Sequence, residues 1–363
     1  MRIVTILGTR PEIIRLSVLI DKLDRLAERH VLVHTGQNFT ASLSGVFFEQ
    51  MGLRAPDLLL DDRKTTVGGQ LAAMFGAVEQ LLVKERPDRV LVLGDTNSAL
   101  CALVAERMGI PVVHMEAGNR CFDLNVPEEK NRRVIDAVST YNLPYTENSK
   151  NNLLREGFPV NRIFRSGNPI YEVLRRYEER IAASPVLERL GLAPGQYLLA
   201  TIHRAENVDS PETLRGILQG LSLTAEEHGL PLVCSLHPRT RSRLSEELRG
   251  SLHPLVSFHE PFGFFDFVHL EKNALLALTD SGTVQEECCI LGVPTVTVRQ
   301  TTERPETVDC GSNVVAGVRP EAIRNAARVM VRLRDSWQCP EGYLDTNVSD
   351  KVAKYVLGGK RDV

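Results

Sequence analysis

The chain has 363 residues, of which 43% are hydrophobic and 25% are charged, so its length predicts two domains and its composition is typical of a folded globular protein. Lys plus Arg number 43 and Asp plus Glu number 46, for a formal net charge of -3. This balance argues against a dedicated nucleic-acid-binding surface, because such a surface needs a basic excess.

Targeting and disulfide signals are absent from the sequence. No stretch approaches the roughly 20 continuous apolar residues of a membrane span, and residues 1–8 predict a short strand and a turn, not a signal peptide. The seven cysteines are odd in number and show neither CxxC spacing nor a disulfide framework. We therefore expect a cytoplasmic protein without a membrane partner, whose thiols are buried and unreactive. The exception is Cys121, which lies in an acidic loop.

Short apolar runs alternate with helical patterns from the N-terminus onward, which is typical of βαβ units and a parallel sheet. In the first half, the predicted strands are Ile3–Leu7, Val31–His34, Val90–Leu93, Val112–Met115 and a run near Tyr141–Tyr145. Apolar residues recur at three- and four-residue spacing from Val67 to Leu82 and predict an amphipathic helix there.

The pattern restarts after turn residues at 166–169. A charged helix is predicted from Tyr171 to Ala183, and further strands are predicted at Tyr197–Ile202, Leu232–Leu236, Leu275–Thr279 and Thr295–Val298. We therefore predict an α/β protein with one domain at 1–168, a second at 169–345, and a segment at 346–363 whose helix crosses back to the first domain. Two similar halves imply a cleft between them, which is a common place for a ligand.

An acidic loop at residues 114–131 follows one of the predicted strands. It gathers four carboxylates, which are Glu116, Asp123, Glu128 and Glu129. Open α/β sheets place their chemistry at the C-terminal ends of strands, and a partly desolvated carboxylate there has the raised pKa that proton transfer to or from carbon requires. The alternative is a solvated acidic loop in which a proline merely opens the next helix.

Two further strand ends in the first half carry polar turns. Gly8–Glu12 opens a helix, so its backbone N–H groups and Arg10 offer donors to an anion. This turn is not GxGxxG, so a dinucleotide fingerprint is absent, and a plain strand–helix turn is the alternative. Gly94–Asn97 places Asp95 either as a helix cap or as a base on the same sheet edge as Glu116.

Three segments of the second half, 201–207, 280–287 and 301–306, also follow or connect predicted strands. A His–Arg pair suits phosphate, small residues at a helix start let the backbone approach a diphosphate, and a carboxylate one turn later suits ribose hydroxyls. The donors expected here are His203, Arg204, Ser281, Thr283 and Arg304. An ordinary strand–helix connection is the alternative for the segments at 201–207 and 280–287.

Together and in this order, these motifs resemble the non-hydrolysing UDP-N-acetylglucosamine 2-epimerase family over nearly the whole chain. The matching segments are Gly8–Glu12, Gly94–Asn97, Glu116–Gly118, Pro127–Glu129, Asn131–Arg132, His203–Arg204, Asp280–Gly282, Gln285–Glu287 and Thr301–Glu306. The resemblance implies a GT-B-like pair of Rossmann-type domains, a homodimer, a UDP-N-acetylhexosamine substrate, and neither a metal nor a nicotinamide cofactor.

The resemblance also implies a mechanism. UDP leaves C1 of the sugar as the C2 proton is removed, which gives a bound glycal, and UDP then re-adds while a proton returns to the opposite face. A C2–H group is a poor acid, so its removal must be coupled to a leaving group that positive donors stabilise. Two faces need two proton-transfer groups, which agrees with several carboxylates.

Roles follow from the resemblance position by position. It implies proton transfer by Asp95, Glu116 and Glu128, and stabilisation of the departing UDP by His203. The expected substrate and UDP ligands are Arg10, Arg15, Arg132, Arg204, Phe267, Ser281, Gly282, Thr283, Glu287 and Arg304. Among them, Phe267 is expected near the uracil.

Some positions depart from the family pattern. Arg15 stands where the family commonly has Lys, the loop at 119–126 is shorter than usual, and Asn38 replaces the His of an activating second site found in bacterial members. With residues 12–17 and 261–266, this form resembles the subgroup that makes UDP-N-acetyl-L-fucosamine from its L-talo precursor, which is the substrate we expect. The alternatives are UDP-N-acetylglucosamine and UDP-N-acetylmannosamine interconversion, a GT-B glycosyltransferase, and a non-catalytic sugar-nucleotide sensor.

Overall fold

Two units, each with a six-stranded parallel sheet, make up the chain. The computed structural model describes residues 1–36, 41–60, 64, 66–334 and 337–358. Residues 1–176 and 341–363 form the first unit, and residues 177–340 form the second. The predicted α/β class with two Rossmann-like domains is thus confirmed.

The first unit alternates strands with helices. Its elements up to residue 176 are β1 (Arg2–Leu7), α1 (Arg10–Leu26), β2 (Arg29–His34), α2 (Ala41–Gln50), β3 (Leu58–Leu59), α3 (Val67–Glu85), β4 (Arg89–Leu93), α4 (Ala102–Arg107), β5 (Val112–Met115), α5 (Pro127–Val138), β6 (Tyr141–Leu143), α6 (Glu147–Arg155) and α7 (Ile170–Arg176). Short 3-10 turns occupy Ser98–Cys101 and Val160–Arg162. The strands lie in the order β3-β2-β1-β4-β5-β6 and all pair in parallel.

The second unit repeats this plan. Its elements are α8 (Glu178–Ala182), α9 (Val186–Leu190), β7 (Leu198–Ile202), α10 (Ala205–Val208), α11 (Pro211–His228), β8 (Leu232–Leu236), α12 (Pro238–Arg241), α13 (Glu246–Gly250), β9 (Val256–His259), α14 (Phe264–Asn273), β10 (Leu276–Thr279), α15 (Gly282–Leu291), β11 (Thr295–Thr297), α16 (Pro305–Asp309), β12 (Asn313–Val315) and α17 (Pro320–Arg332). The strand order is β12-β11-β10-β7-β8-β9, again parallel.

The two sheets share one topology when strands are counted within each unit. In both, the order reverses between the first strand and the fourth, that is, between β1 and β4 and between β7 and β10. Open α/β sheets bind ligands beyond the C-terminal ends of the strands at this switch point. The topology therefore directs attention to the turns that follow these four strands.

The central strands are buried apolar runs, as parallel sheets require. All five residues of β4 and of β8 are buried, and the predicted central strands are confirmed. Three strands were not predicted, namely β3, β9 and β12. Each lies at a sheet edge, spans two to four residues and is at most partly buried, so its apolar signal is weak.

One predicted helix is wrong in its extent. The pattern at 171–183 predicted a single helix, but the structure has α7 and α8, which are separated at Tyr177. The Tyr177 ring packs against Phe264 and Phe265, with ring centroids 6.4 and 5.6 Å away. This packing anchors the chain where it passes from the first unit to the second.

The C-terminal helix α18 (Val348–Leu357) belongs to the first unit and packs against α1. Arg89 at the start of β4 donates to the carbonyl oxygens of Tyr355 and Val356, at 2.5 and 3.0 Å, which satisfies groups at the helix C-terminus. In the part of the chain that the structure describes, no helix is both long and apolar enough to cross a membrane.

Candidate active site

A buried carboxylate holds the turn that follows β1. Glu12 accepts hydrogen bonds from the backbone N–H groups of Gly8 at 3.1 Å and Thr9 at 2.8 Å, in the manner of a capping box. Thr96, which follows β4, donates its hydroxyl to the same carboxylate at 3.0 Å. Glu12 therefore joins the two strand ends at the switch point, and burial raises its pKa to about 7. The expectation that this turn offers its N–H groups to an anion is wrong for Gly8 and Thr9.

Four charged side chains form a continuous set of ion pairs beyond β4 and β5, which we call the carboxylate cluster. Arg15 pairs with Glu116, and Arg132 pairs with Asp95 while lying 3.5 Å from Glu116. The side chain of Asp95 is 18% exposed, whereas those of the other three are 7% exposed or less. Asp95 is therefore the member that a ligand reaches most easily.

The backbone beneath the cluster adopts an uncommon conformation. Gly94 and Glu116, which directly follow adjacent strands, both have positive φ angles, of 74° and 65°. For a residue with a β-carbon this conformation costs roughly 1–2 kcal/mol, and non-glycine examples concentrate at functional sites. The backbone N–H of Glu116 bonds to the carbonyl oxygen of Leu143 at 3.1 Å. This turn directs the carboxylate of Glu116 towards the two arginines.

A fully buried polar network supports the same turns. His114 on β5 lies 2.8 Å through Nε2 from the carbonyl oxygen of Gly94 and 2.9 Å through Nδ1 from Asp136 on α5. Asp136 also accepts from the backbone N–H of Gly118 at 3.2 Å and pairs with Arg120 at 2.7 Å. Burial opposes ionisation of Asp136, but His114 and Arg120 hold its pKa below the usual value. The network fixes the segments that carry Asp95 and Glu116.

The other predicted residues of the first unit lie near these turns in sequence. Glu128 is half-buried in the first turn of α5, one turn before Arg132, and residues four apart share a helical face. The guanidinium of Arg10 lies 5.3 Å from the centre of the Phe47 ring, and burial lowers its pKa. Asn38 lies outside the described residues.

In the second unit, Asp280 holds the turn that follows β7. Its carboxylate accepts the backbone N–H groups of His203 and Arg204, each at 2.9 Å, and the side-chain amide of Asn207 at 3.0 Å. The Nδ1 atom of His203 lies 3.2 Å from the same carboxylate. Asp280 is completely buried, and this desolvation raises its pKa despite the hydrogen bonds. Asp280 therefore joins β7 to β10 at the switch point and orients the imidazole of His203.

Arginine–carboxylate ion pairs lie beside the turn that follows β7. Glu303 accepts from Arg204 at 3.0 Å and from Arg299 at 2.7 Å. Arg304 donates to Glu286 on α15 at 2.5 Å, and both side chains are buried. The predicted arginines therefore lie in prearranged pairs, which fix the direction of each guanidinium.

The start of α15 lies close to the carboxylate of Glu303. Ser281 precedes the helix, and Gly282 and Thr283 form its first turn, where backbone N–H groups suit a phosphate. A β-carbon on Gly282 would lie 2.7 Å from a carboxylate oxygen of Glu303. A larger residue at position 282 would therefore have to displace the carboxylate of Glu303, which is paired with Arg204 and Arg299.

One turn into α15, Glu287 lies against another acid. Both Glu287 and Glu271 of α14 are buried, and burial together with the neighbouring Glu287 raises the pKa of Glu271 well above its usual value. Phe267, one turn before Glu271, packs against the hydrophobic core of this side of the unit. The sequence predicted Glu287 as a ligand but did not predict its pairing with a second carboxyl group.

The structure thus brings Arg15, Asp95, Glu116 and Arg132 together in the first unit, and it groups His203, Arg204 and Arg304 with buried acids in the second. Sequence reasoning missed the acids that organise these turns, which are Glu12, Asp280, Glu286 and Glu303. Each lies inside a motif already noted, and Glu12 stands three residues after Thr9, which is a capping-box signal. Among residues 1–36, 41–60, 64, 66–334 and 337–358, no group of three or more His, Cys, Asp or Glu side chains is arranged to hold a metal ion.

Sequence comparison with known proteins indicates one family. A family model described as UDP-N-acetylglucosamine 2-epimerase matches residues 21–357. The UDP-N-acetylglucosamine 2-epimerase of Methanocaldococcus jannaschii is 42% identical over 99% of this chain and 100% of its own length. The UDP-2,3-diacetamido-2,3-dideoxy-D-glucuronate 2-epimerase of Pseudomonas aeruginosa is 38% identical over 98% of this chain and 99% of its own.

Solved structures agree with the sequence comparison. The Methanocaldococcus jannaschii enzyme in complex with UDP-GlcNAc and UDP has a TM-score of 0.94 and 40% identity, covering 99% of this chain and 100% of that one. The switch-point turns, the carboxylate cluster and full-length similarity therefore lead to one conclusion. The chain belongs to the UDP-N-acetylglucosamine 2-epimerase family, a family of non-hydrolysing UDP-sugar 2-epimerases, which are isomerases.

Proposed function

We propose that this chain interconverts UDP-N-acetylglucosamine and UDP-N-acetylmannosamine by elimination and re-addition of UDP. The observation that carries the proposal is the carboxylate cluster, in which Arg132 joins Asp95 to Glu116 at the ends of adjacent strands. The choice of sugar is supported by the 42% identical relative, whose structure was solved with UDP-GlcNAc and UDP.

The acids of the first unit supply the proton transfers in this proposal. Asp95 is partly accessible, Glu116 is charge-balanced by two arginines, and Glu128 lies one turn from Arg132. Epimerisation removes a proton from one face of C2 and returns one to the other, so it needs at least two such groups. Arg15 and Arg132 balance the charge of Asp95 and Glu116 when both acids are ionised.

The second unit binds and stabilises UDP in this proposal. When the C1–O bond breaks, negative charge grows on the β-phosphate, so fixed donors that face it lower the barrier. His203, oriented by Asp280, supplies such a donor, and the start of α15 supplies backbone N–H groups. Arg204 and Arg304 add positive charge beside these turns, while Glu287 and Phe267 are proposed to contact the ribose and the uracil.

A second candidate substrate is the L-talo precursor of UDP-N-acetyl-L-fucosamine, which the sequence analysis favoured. Arg15 gives it specific support, because a planar guanidinium pairs with Glu116 where the family commonly has Lys, and the two cations differ in reach and geometry. Against it, neither relative described above is named for a 6-deoxy-L-sugar. The same experiment tests both sugars.

The test is incubation of the full chain with each UDP-sugar in D₂O, followed by NMR of the products. We expect conversion of UDP-N-acetylglucosamine, with deuterium at C2 and no acceptor present. Conversion of the L-talo sugar alone would replace the first candidate with the second. Failure of both sugars to exchange the C2 proton would overturn the proposed reaction and would favour a glycosyltransferase or a sensor.

A further inference from the structure

Three cysteines that are far apart in the sequence meet in the second unit. The Sγ atoms of Cys289, on α15, and Cys310, at the end of α16, are 3.8 Å apart. The Sγ of Cys339 lies 3.5 Å from the carbonyl oxygen of Cys289. Cys310 and Cys339 are half-buried, whereas Cys289 is buried. We call these residues the thiol cluster, which the sequence analysis did not predict because no CxxC spacing marks it.

The three thiols differ in acidity. Hydrogen bonding from Cys289, reinforced by Ser312, lowers the pKa of Cys310 to about 6 against the opposing effect of burial. The hydrogen bond with Cys289 also lowers the pKa of Cys339, whereas the bonds to Cys310 and Cys339 raise that of Cys289. Because the thiolate is the reactive form, Cys310 is suited to attack an oxidant and Cys289 to resolve the product.

The thiol cluster lies at the C-terminal ends of two helices whose N-terminal ends carry proposed UDP ligands. The helix α15 begins at Gly282 and holds Cys289 in its last turn, while α16 follows Arg304 and is capped by Cys310. The Arg304–Glu286 ion pair already joins the two helices. A disulfide has an S–S length of about 2 Å, so closing the 3.8 Å gap draws the ends of α15 and α16 together.

We propose that a peroxide oxidises the thiol cluster to a Cys289–Cys310 disulfide, and that this bond weakens UDP binding by shifting α15 against α16; the second part rests on the proposed function. The Cys310 thiolate attacks one peroxide oxygen and the O–O bond breaks. Cys310 becomes a sulfenic acid, and the hydroxide that departs takes up the proton released by the thiol to form water. The Cys289 thiol attacks the sulfenic sulfur, the S–S bond forms, and water leaves. Two thiols thus give two electrons to one hydrogen peroxide, which yields two waters.

The experiment treats the full-length chain with equimolar hydrogen peroxide, alkylates the remaining thiols and maps the peptides by mass spectrometry. We expect a peptide joined through Cys289 and Cys310, and UDP affinity, measured by calorimetry, lowered about tenfold and restored by dithiothreitol. Cys310→Ser should form no such bond and keep its UDP affinity in peroxide, and Cys310→Ala repeats the test if the serine variant folds poorly. Cys339→Ser is the matched control and should still form the bond.

Each outcome decides one part of the proposal. No disulfide, or a bond between other cysteines, overturns the assignment of the pair. A mapped Cys289–Cys310 bond with unchanged UDP affinity overturns the coupling to the binding site. If the reduced chain fails to bind UDP at all, the proposed function fails, while the peptide map still tests the disulfide.

Discussion

The turns after β1 and β7 occupy the same place in two sheets of the same topology, yet different kinds of contact hold them. In the first unit, Glu12 binds the backbone of residues 8–9 from the next helix, three and four residues away. In the second unit, Asp280 binds the backbone of residues 203–204 from another strand end, 76 and 77 residues away. A Rossmann-like unit can therefore hold the backbone of its first turn either from the adjacent helix or from a distant strand end.

In the first unit, the acid that holds the turn is a different residue from the acids proposed to transfer protons. In the second unit, one acid both holds the turn and orients a proposed UDP ligand. Glu12 holds the first turn, while Asp95 and Glu116 are paired through their side chains with Arg132 and Arg15. Asp280 holds the second turn and also orients the imidazole of His203. Substitution of Asp280 should thus lower both the free energy of unfolding and the affinity for UDP. Substitution of Glu116 should mainly lower the rate of epimerisation.

The largest expected effect is that of Asp280→Ala. It removes the acceptor of three donors, which are the half-buried backbone N–H groups of His203 and Arg204 and the buried side-chain amide of Asn207. Each such loss costs roughly 1–3 kcal/mol. We expect the free energy of unfolding, measured with urea, to fall by about 5 kcal/mol, with UDP affinity lost as well.

Two matched variants sharpen this test. Asp280→Asn keeps one acceptor oxygen and should be intermediate, and Glu260→Gln, which disturbs an exposed pair with Arg241, should change stability by less than about 1 kcal/mol. If Asp280→Ala were as stable as Glu260→Gln, the turn would not depend on the long-range contact.

Glu116→Gln should have the next largest effect. Glutamine keeps the size of the side chain and one oxygen that accepts a hydrogen bond from Arg15 or Arg132, but it cannot exchange a proton with the sugar. Loss of a general acid or base lowers kcat by about a thousandfold, which corresponds to about 4 kcal/mol of activation free energy. UDP affinity should stay near normal, since the expected UDP ligands of the second unit are unchanged.

The control for this variant is Glu147→Gln, which disturbs a more exposed acid paired with Lys150 and Arg165 and should keep full activity. Deuterium incorporation at C2 distinguishes a lost proton transfer from lost binding. Full activity of Glu116→Gln would remove Glu116 from the proposed proton-transfer groups.

Local signals made much of this architecture predictable. Buried apolar runs such as β4 and β8 mark the sheet centres, whereas β3 and β12 are too short and too incompletely buried to stand out. Strand-end motifs also located both switch points, because chemistry-bearing residues follow the central strands. A long-range partner such as Asp280 leaves no periodic or spacing signal, because the fold alone brings it to residue 203.

The site contacts that were not predicted are also contacts between separate elements. The motif at 280–287 was recognised, but the contact of Glu287 with Glu271 depends on the packing of α14 against α15. Likewise, Cys289 and Cys310 meet only because α15 and α16 are neighbours. Spacing predicts contacts within one helix or turn, and contacts between elements require the tertiary structure.

Glu12→Gln should give the smallest of these effects. It tests, through the pH dependence of the free energy of unfolding, whether a neutral Glu12 holds the turn after β1. Glu12 has a folded pKa of about 7 against an ordinary value of 4.5, so below pH 4.5 it is protonated in both states. As pH rises through about 7, the unfolded chain ionises first and stability is lost, by on the order of 3 kcal/mol in total.

Glutamine has no charge to lose, and its amide can replace the protonated oxygen by donating to Thr96 while its carbonyl accepts from Gly8 and Thr9. Urea unfolding at pH 5 and pH 8 should therefore show the wild type losing more stability than Glu12→Gln as pH rises. Parallel losses would mean that Glu12 is already ionised in the folded chain at pH 5. A greater loss in the variant would mean that the carboxylate charge stabilises the turn. In either case an ionised Glu12, not a neutral one, would hold the turn at the switch point of the first unit.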